Sequence, residues 1–157
     1  MNLAADGATA TLVLRAGERL AAVPLDAVRE TMRPLPVQRL PGTSRFVRGV
    51  SVVRAEPVPV LDLGALLGGT GDDRIGRFVT LRAADGRAFA LAVGDVVGIR
   101  QLPQQVLREL SPVLGTESKE VAGAMAVLDE ELVVLLRAAV LVPAEVWQKL
   151  DAQGAAR

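Results

Sequence analysis

The strongest constraint on the fold is that the chain resembles itself. Leu14-Arg15-Ala16 answers Leu81-Arg82-Ala83, Asp26-Ala27-Val28 answers Asp95-Val96-Val97, and Arg33-Pro34-Leu35-Pro36 answers Arg100-Gln101-Leu102-Pro103, at spacings of 67 to 69 residues. Further along, GVSVVRAEPVPVLDLGALL lies over GAMAVLDEELVVLLRAAVL without a gap, Gly49 on Gly123. Two copies of one unit within 157 residues are each too short to bury much surface alone, so a duplicated fold with a shared core is expected.

The pattern within each copy is β. Apolar runs of four to eight residues rich in Val and Leu are punctuated by Gly, Pro and Asp-Gly. TLVLRAGERLAAVPL reads as a hairpin around Ala16-Gly17-Glu18, and RFVTLRAADGRAFALAV as one with a two-residue turn at Asp85-Gly86. Strand, hairpin, strand, long loop, strand, turn, strand gives about five strands per copy, hence two small β-barrels. The predicted division is residues 10–67, a connection GGTGDDRIG from Gly68 to Gly76, residues 77–142, and a C-terminal helix over 143–152. Short helices are expected at Leu63–Leu67 and Gln104–Leu110. In the last helix Pro143 suits the first turn, and Val146, Trp147 and Leu150 share a face, with Trp147 packing into the core.

Composition narrows function by what is missing. The chain has no Cys, His or Tyr, which removes disulfides, thiolate or imidazole metal sites and Ser-His catalysis. An enzyme would have to work with carboxylates, arginines, two lysines and four serines. The 18 basic and 18 acidic residues cancel, so no overall field attracts nucleic acid or anionic lipid, and a protein is the expected partner. The longest apolar run, Leu132 to Val142, is too short to span a bilayer and contains Arg137. MNLAADGATA lacks the features of a secretion signal, which points to the cytoplasm. Asp72, Asp73 and Asp85 read as turn residues rather than cation ligands, and LGGTGDDR lacks the Gly-Lys-Ser/Thr ending of a phosphate loop.

The repeat also acts as a control, because what only one copy carries is not needed to build the barrel. In the gap-free overlay Arg54 falls on Leu128, and Glu30, two residues after the Asp26-Ala27-Val28 match, falls on Ile99. A charged pair confined to the first copy is therefore a candidate for function, provided the two residues meet.

These residues resemble the CheW-like family of coupling proteins. Its apolar-Pro, Gly-Val, Asn-Leu-Arg-Gly and apolar-Pro-apolar-apolar-Asp-Leu signature reads here as Leu40-Pro41, Gly49-Val50, Val52-Val53-Arg54-Ala55 and Val58-Pro59-Val60-Leu61-Asp62-Leu63. DAVRET matches the family's apolar-x-Glu segment with Val28 and Glu30, and the likeness runs from about Thr11 to Trp147. The resemblance implies two five-stranded SH3-like barrels without enzymatic activity or cofactor. It also implies a cytoplasmic scaffold joining the regulatory domain of a CheA-type histidine kinase to the cytoplasmic tip of a methyl-accepting chemoreceptor, with membrane contact only through the receptor. The family's receptor lies in the groove between the barrels and its kinase on barrel ends. Carried over by position, Val28, Glu30, Gly49 and Arg54 become protein-binding residues.

The chain departs from the pattern at the turn itself. Val52 replaces the usual Asn, and Ala55 replaces a Gly, which strains the backbone if the position needs positive φ. Pro57 removes a donor and suits an edge or turn better than a central ladder, while Asp62 should cap the helix that follows. Arg39, Arg45, Arg48 and Arg54 form a basic cluster that keeps a small-barrel nucleic-acid binder as the alternative function, although Phe46 is the only aromatic nearby for base stacking. A carboxylate-dependent enzyme is the third.

Overall fold

The computed structural model of the chain describes residues 8–71, 74–103 and 122–155. The described residues hold ten strands, matching the expected five or so per copy: β1 Ala8–Ala16, β2 Arg19–Pro24, β3 Val28–Met32, β4 Val47–Val53, β5 Glu56–Asp62, β6 Arg77–Arg82, β7 Ala88–Val93, β8 Asp95–Pro103, β9 Ala122–Leu128 and β10 Glu131–Leu136. Helix α1 spans Leu63–Leu66, where Asp62 accepts the Ala65 N–H at 3.0 Å as its cap. Helix α2 spans Ala144–Ala155, directly after Pro143. The helix expected at Gln104–Leu110 and the Asp72-Asp73 pair lie outside the described residues. Among the described residues no helix is long and apolar enough to cross a membrane.

Five strands per sheet are observed, but the sheets are not composed of consecutive residues. One has the order β8-β1-β2-β10-β9 and the other β3-β6-β7-β5-β4. Each copy's hairpin is thus built into the other copy's sheet, which corrects the division at 10–67 and 77–142. Two parallel pairings make the exchange: β2 on β10 through Leu20–Val133, Ala21–Val134 and Ala22–Leu135, and β7 on β5 through Ala90–Val60, Leu91–Leu61 and Ala92–Asp62.

The exchange explains why these strands are continuously apolar. Leu12, Leu14, Ala21 and Val23 of one sheet join Val79, Leu81, Phe89, Leu91 and Val93 of the other in a single shared core. The opposite faces build a separate smaller core in each sheet: Val13, Leu20, Ala22 and Val133 in one, Val60, Phe78, Ala90 and Ala92 in the other. A strand buried on both faces has no position for alternating polar residues. Helix α2 closes the shared core with Val146, while Trp147 is only half-buried against it.

Two turns differ in kind. The β1–β2 hairpin closes at Ala16–Arg19 over a two-residue turn with Gly17 at φ 59°. The β6–β7 connection is longer than a two-residue turn at Asp85-Gly86. Strand pairing stops at Arg82–Ala88, and the Gly86 N–H reaches Ala83 O at 3.0 Å.

The prolines of β5 sit on a strand flanked by β4 and β7, yet they break nothing. The hairpin closes at Val53–Glu56, a hydrogen-bonded pair in a two-residue turn, so Val52–Pro57 and Val50–Pro59 are non-bonded pairs and the missing N–H groups point away from β4. On that other side β7 joins only from Val60. Val50 accordingly spends its own N–H and C=O on Gln38, both at 2.8 Å.

Candidate protein-binding site

The β4–β5 turn is tight and strained. Arg54 and Ala55 are both left-handed, at φ 50° and 68°, the combination a two-residue hairpin needs and Gly usually supplies. The turn directs Arg54 to Glu30 on β3. Arg54 Nε donates to Glu30 Oε2 and Nη2 to Oε1, both at 2.9 Å, a bidentate fork. Because β3 and β4 stand at opposite ends of the strand order, this pair spans the two edges of one sheet. It does so at the surface, with Arg54 73% and Glu30 34% exposed. The hydrogen bonds from Arg54 hold the Glu30 carboxyl below its ordinary 4.5, with the Arg54 and then the Arg29 charge adding to the effect against partial desolvation. The same bonds raise Arg54. Beside the pair lies a cavity of about 220 Å³ lined by Arg29, Val53, Glu56, Val58 and Thr80, with the Thr80 hydroxyl donating to the Glu30 carbonyl at 3.3 Å.

The other two predicted site residues are less accessible. Val28 is half-buried, paired with Leu81 and packed on the shared core, two positions before Glu30 and just ahead of a β-bulge. Gly49 is buried. Its φ is 143°, and a Cβ there would stand 2.0 Å from Gln38 O and 2.9 Å from Arg39 Cα. The segment before Leu40 crosses directly over this residue, so only Gly fits, and Gly49 shapes the surface from beneath.

The ladders also correct the overlay of the two copies. Gly49 pairs with Val60 and Val47 with Leu61, just as Ala124 pairs with Leu135 and Ala122 with Leu136. Gly49 therefore corresponds to Ala124, one residue beyond Gly123, and Arg54 to Asp129, which shares its left-handed φ at 49°. On β3 and β8 the bulges fall at Arg29 and Val97, so the counterpart of Glu30 is Gly98 rather than Ile99. An Asp and a Gly cannot form an ion pair, so the Arg54–Glu30 fork still has no equivalent in the second copy.

Two further clusters escaped the sequence reading. Arg48, at the β4 bulge, donates to the buried Asp62 at 2.6 Å, so the carboxylate that caps α1 also anchors an arginine. Arg87 lies 4.1 Å above the Trp147 ring and pairs with Asp85 at 2.6 Å and Asp151 at 3.3 Å, fixing α2 to the β6–β7 turn. The Arg87 N–H and guanidinium bonds together depress the Asp85 carboxyl. The half-apolar face of α2 was the available signal for Trp147; nothing in the sequence marked Arg87 as its neighbour. Among the described residues no three carboxylates converge in a way that could hold a metal ion.

Residues 10–146 match the CheW-like domain family across both sheets. The chain belongs to that family. It is 37% identical to Protein FrzA of Myxococcus xanthus over 106 residues, a stretch covering 66% of this chain and 64% of FrzA, slightly under two thirds of that relative. In three dimensions it is similar to the scaffolding protein TtCheW from Thermoanaerobacter tengcongensis, with a TM-score of 0.74 at 19% identity, covering 88% of this chain and 95% of that one. At that identity the likeness concerns the fold, and it agrees with two five-stranded SH3-like barrels.

Proposed function

We infer that the chain is a non-enzymatic cytoplasmic adaptor of chemotaxis signalling, which couples the cytoplasmic tip of a methyl-accepting chemoreceptor to the regulatory domain of a CheA-type histidine kinase. Membership of the CheW-like family supports the class of function. The observation that carries the choice of surface is the exposed bidentate fork between Arg54 and Glu30. Arginine forks at a protein surface are frequent binding anchors, and this one is held in a single orientation by its partner and by a strained turn. Glu30 and Arg54 act as contact groups, Val28 sets the path of β3, and Gly49 acts indirectly by keeping the crossing segment in place.

The test is calorimetry with the regulatory domain of a kinase and the tip fragment of a receptor encoded beside this gene, with an expected affinity of about micromolar or tighter. Arg54→Ala should weaken one of the two interactions by about tenfold or more and leave the melting temperature within a few degrees of wild type. Absence of binding by the folded protein to either fragment would refute the adaptor reading. Normal binding by Arg54→Ala would refute the choice of surface.

A further inference from the structure

The basic cluster seen in the sequence has a definite shape. Arg39, Arg45 and Arg48 line one concavity of about 350 Å³, together with Pro41, Thr43 and Ser44. Its walls are braced: the Thr43 hydroxyl donates to Leu40 O at 2.8 Å, Lys149 Nζ to Pro41 O at 2.7 Å, and the Val47 N–H to Ser44 O at 2.9 Å. Of the three guanidiniums, only Arg48 meets a carboxylate among the described residues, that of Asp62. Arg45 donates to the neutral Gly69 carbonyl at 2.7 Å, and the exposed Arg39 side chain has no hydrogen-bond or ion-pair partner among the described residues. Two positive charges thus face a preformed hollow with no carboxylate paired to them among the described residues. On α2, Glu145 lies 3.5 Å from the Ser44 hydroxyl and Lys149 is adjacent, so these two offset each other.

We propose that this hollow is a docking site for an acidic segment of a partner protein, whose carboxylates pair with Arg39 and Arg45. Planar guanidiniums with free N–H groups match carboxylates in a bidentate manner, and a rigid rim keeps the ordering cost of such a contact low. A nucleic-acid strand is the weaker match. Phe46, the nearby aromatic, is half-buried with its ring packed against the shared core, and the net charge is zero. The site shares no lining residue with the cavity beside Arg54 and Glu30, so it stands or falls independently of that surface.

The test uses the full chain and a fluorescently labelled oligo-glutamate peptide, followed by anisotropy at low salt. Binding is expected, weakened about tenfold or more by Arg39→Glu and by Arg45→Glu, and unaffected by Arg82→Glu at the end of β6. The Arg39 side chain makes no hydrogen bond or ion pair among the described residues, so its variant stays informative even if Arg45→Glu disturbs the Gly69 loop. The proposal is overturned if the peptide does not bind, if Arg82→Glu weakens binding as much as Arg39→Glu, or if single-stranded DNA competes more strongly than free peptide through the same two arginines.

Discussion

Replacing Gly49 with Ala isolates what that residue does. The added Cβ would meet Gln38 O at 2.0 Å and Gln38 C at 2.7 Å, backbone atoms that cannot rotate away. The segment carrying Gln38 would have to lift from β4, losing both Gln38–Val50 hydrogen bonds, each contributing about 0.5 to 1.5 kcal/mol net. Alanine at φ 143° adds backbone strain of about 1 to 3 kcal/mol. Together Gly49→Ala should cost about 2 to 6 kcal/mol, a drop in melting temperature of roughly 4 to 24 °C for a chain of this size. Gly86→Ala is the matched control: its φ is 85°, but the added Cβ meets open space, so only strain of about 1 to 2 kcal/mol applies. Denaturant melts of both variants decide the matter. If Gly49→Ala is no less stable than Gly86→Ala, the crossing segment is not held as described. If it folds normally and loses only partner binding, Gly49 is itself a contact residue.

Three other outcomes follow from the same geometry. Ala55→Gly should stabilise the protein by about 0.5 to 1 kcal/mol, because relief of left-handed strain exceeds the entropy added to the unfolded chain; a loss of stability in chemical denaturation would contradict the turn geometry. Glu30 should titrate below 4.5 by NMR and move up toward that value in Arg54→Ala; since its folded value is the lower one, its stabilising contribution is present above 4.5 and is lost as pH falls through the folded value. A protease site inserted after Thr70 and cleaved should give a nicked protein that elutes and melts as one unit, because each sheet contains strands from both sides of the cut; two separating folded halves would refute the strand exchange.

What the sequence revealed was local. Turn residues, apolar runs and the Asp62 cap each act within a few positions, and they located every described strand and both described α-helices. Arg54 and Glu30 stood out because the overlay of the two copies set them on the apolar Leu128 and Ile99, and the ladders replace these counterparts with Asp129 and Gly98 without restoring a pair. The exchange of hairpins was not legible, since it depends on parallel pairings such as Leu20–Val133 that join residues over a hundred positions apart. Either copy's hairpin would satisfy the same apolar pattern. The one-residue error in the overlay has a similar origin. Shifting the β10 register by one exchanges Val133 and Leu135 for Leu132 and Val134, and all four are apolar, so only the bulges at Arg48 and Gly123 fix the true alignment.

The exchange bears on how a small adaptor can work. Two barrels joined by a linker would move independently, and a partner on one would feel little of a partner on the other. Here each sheet contains a hairpin contributed by the other copy, and Leu14, Leu81, Phe89 and Leu136 meet in one core with the α2 residue Val146. Separating the barrels would therefore mean breaking the β2–β10 and β5–β7 ladders as well as that core, which is close to unfolding the chain. The surfaces on the two barrels are consequently held at a fixed distance and orientation. They are also chemically different at equivalent positions: Arg54 and Glu30 stand where the other barrel has Asp129 and Gly98, and Pro57 stands where it has the exposed Leu132. Duplication supplied two matching frames, exchange locked them together, and divergence at a few exposed positions made the two faces unlike. A rigid body with two unlike faces is what joining two different proteins requires.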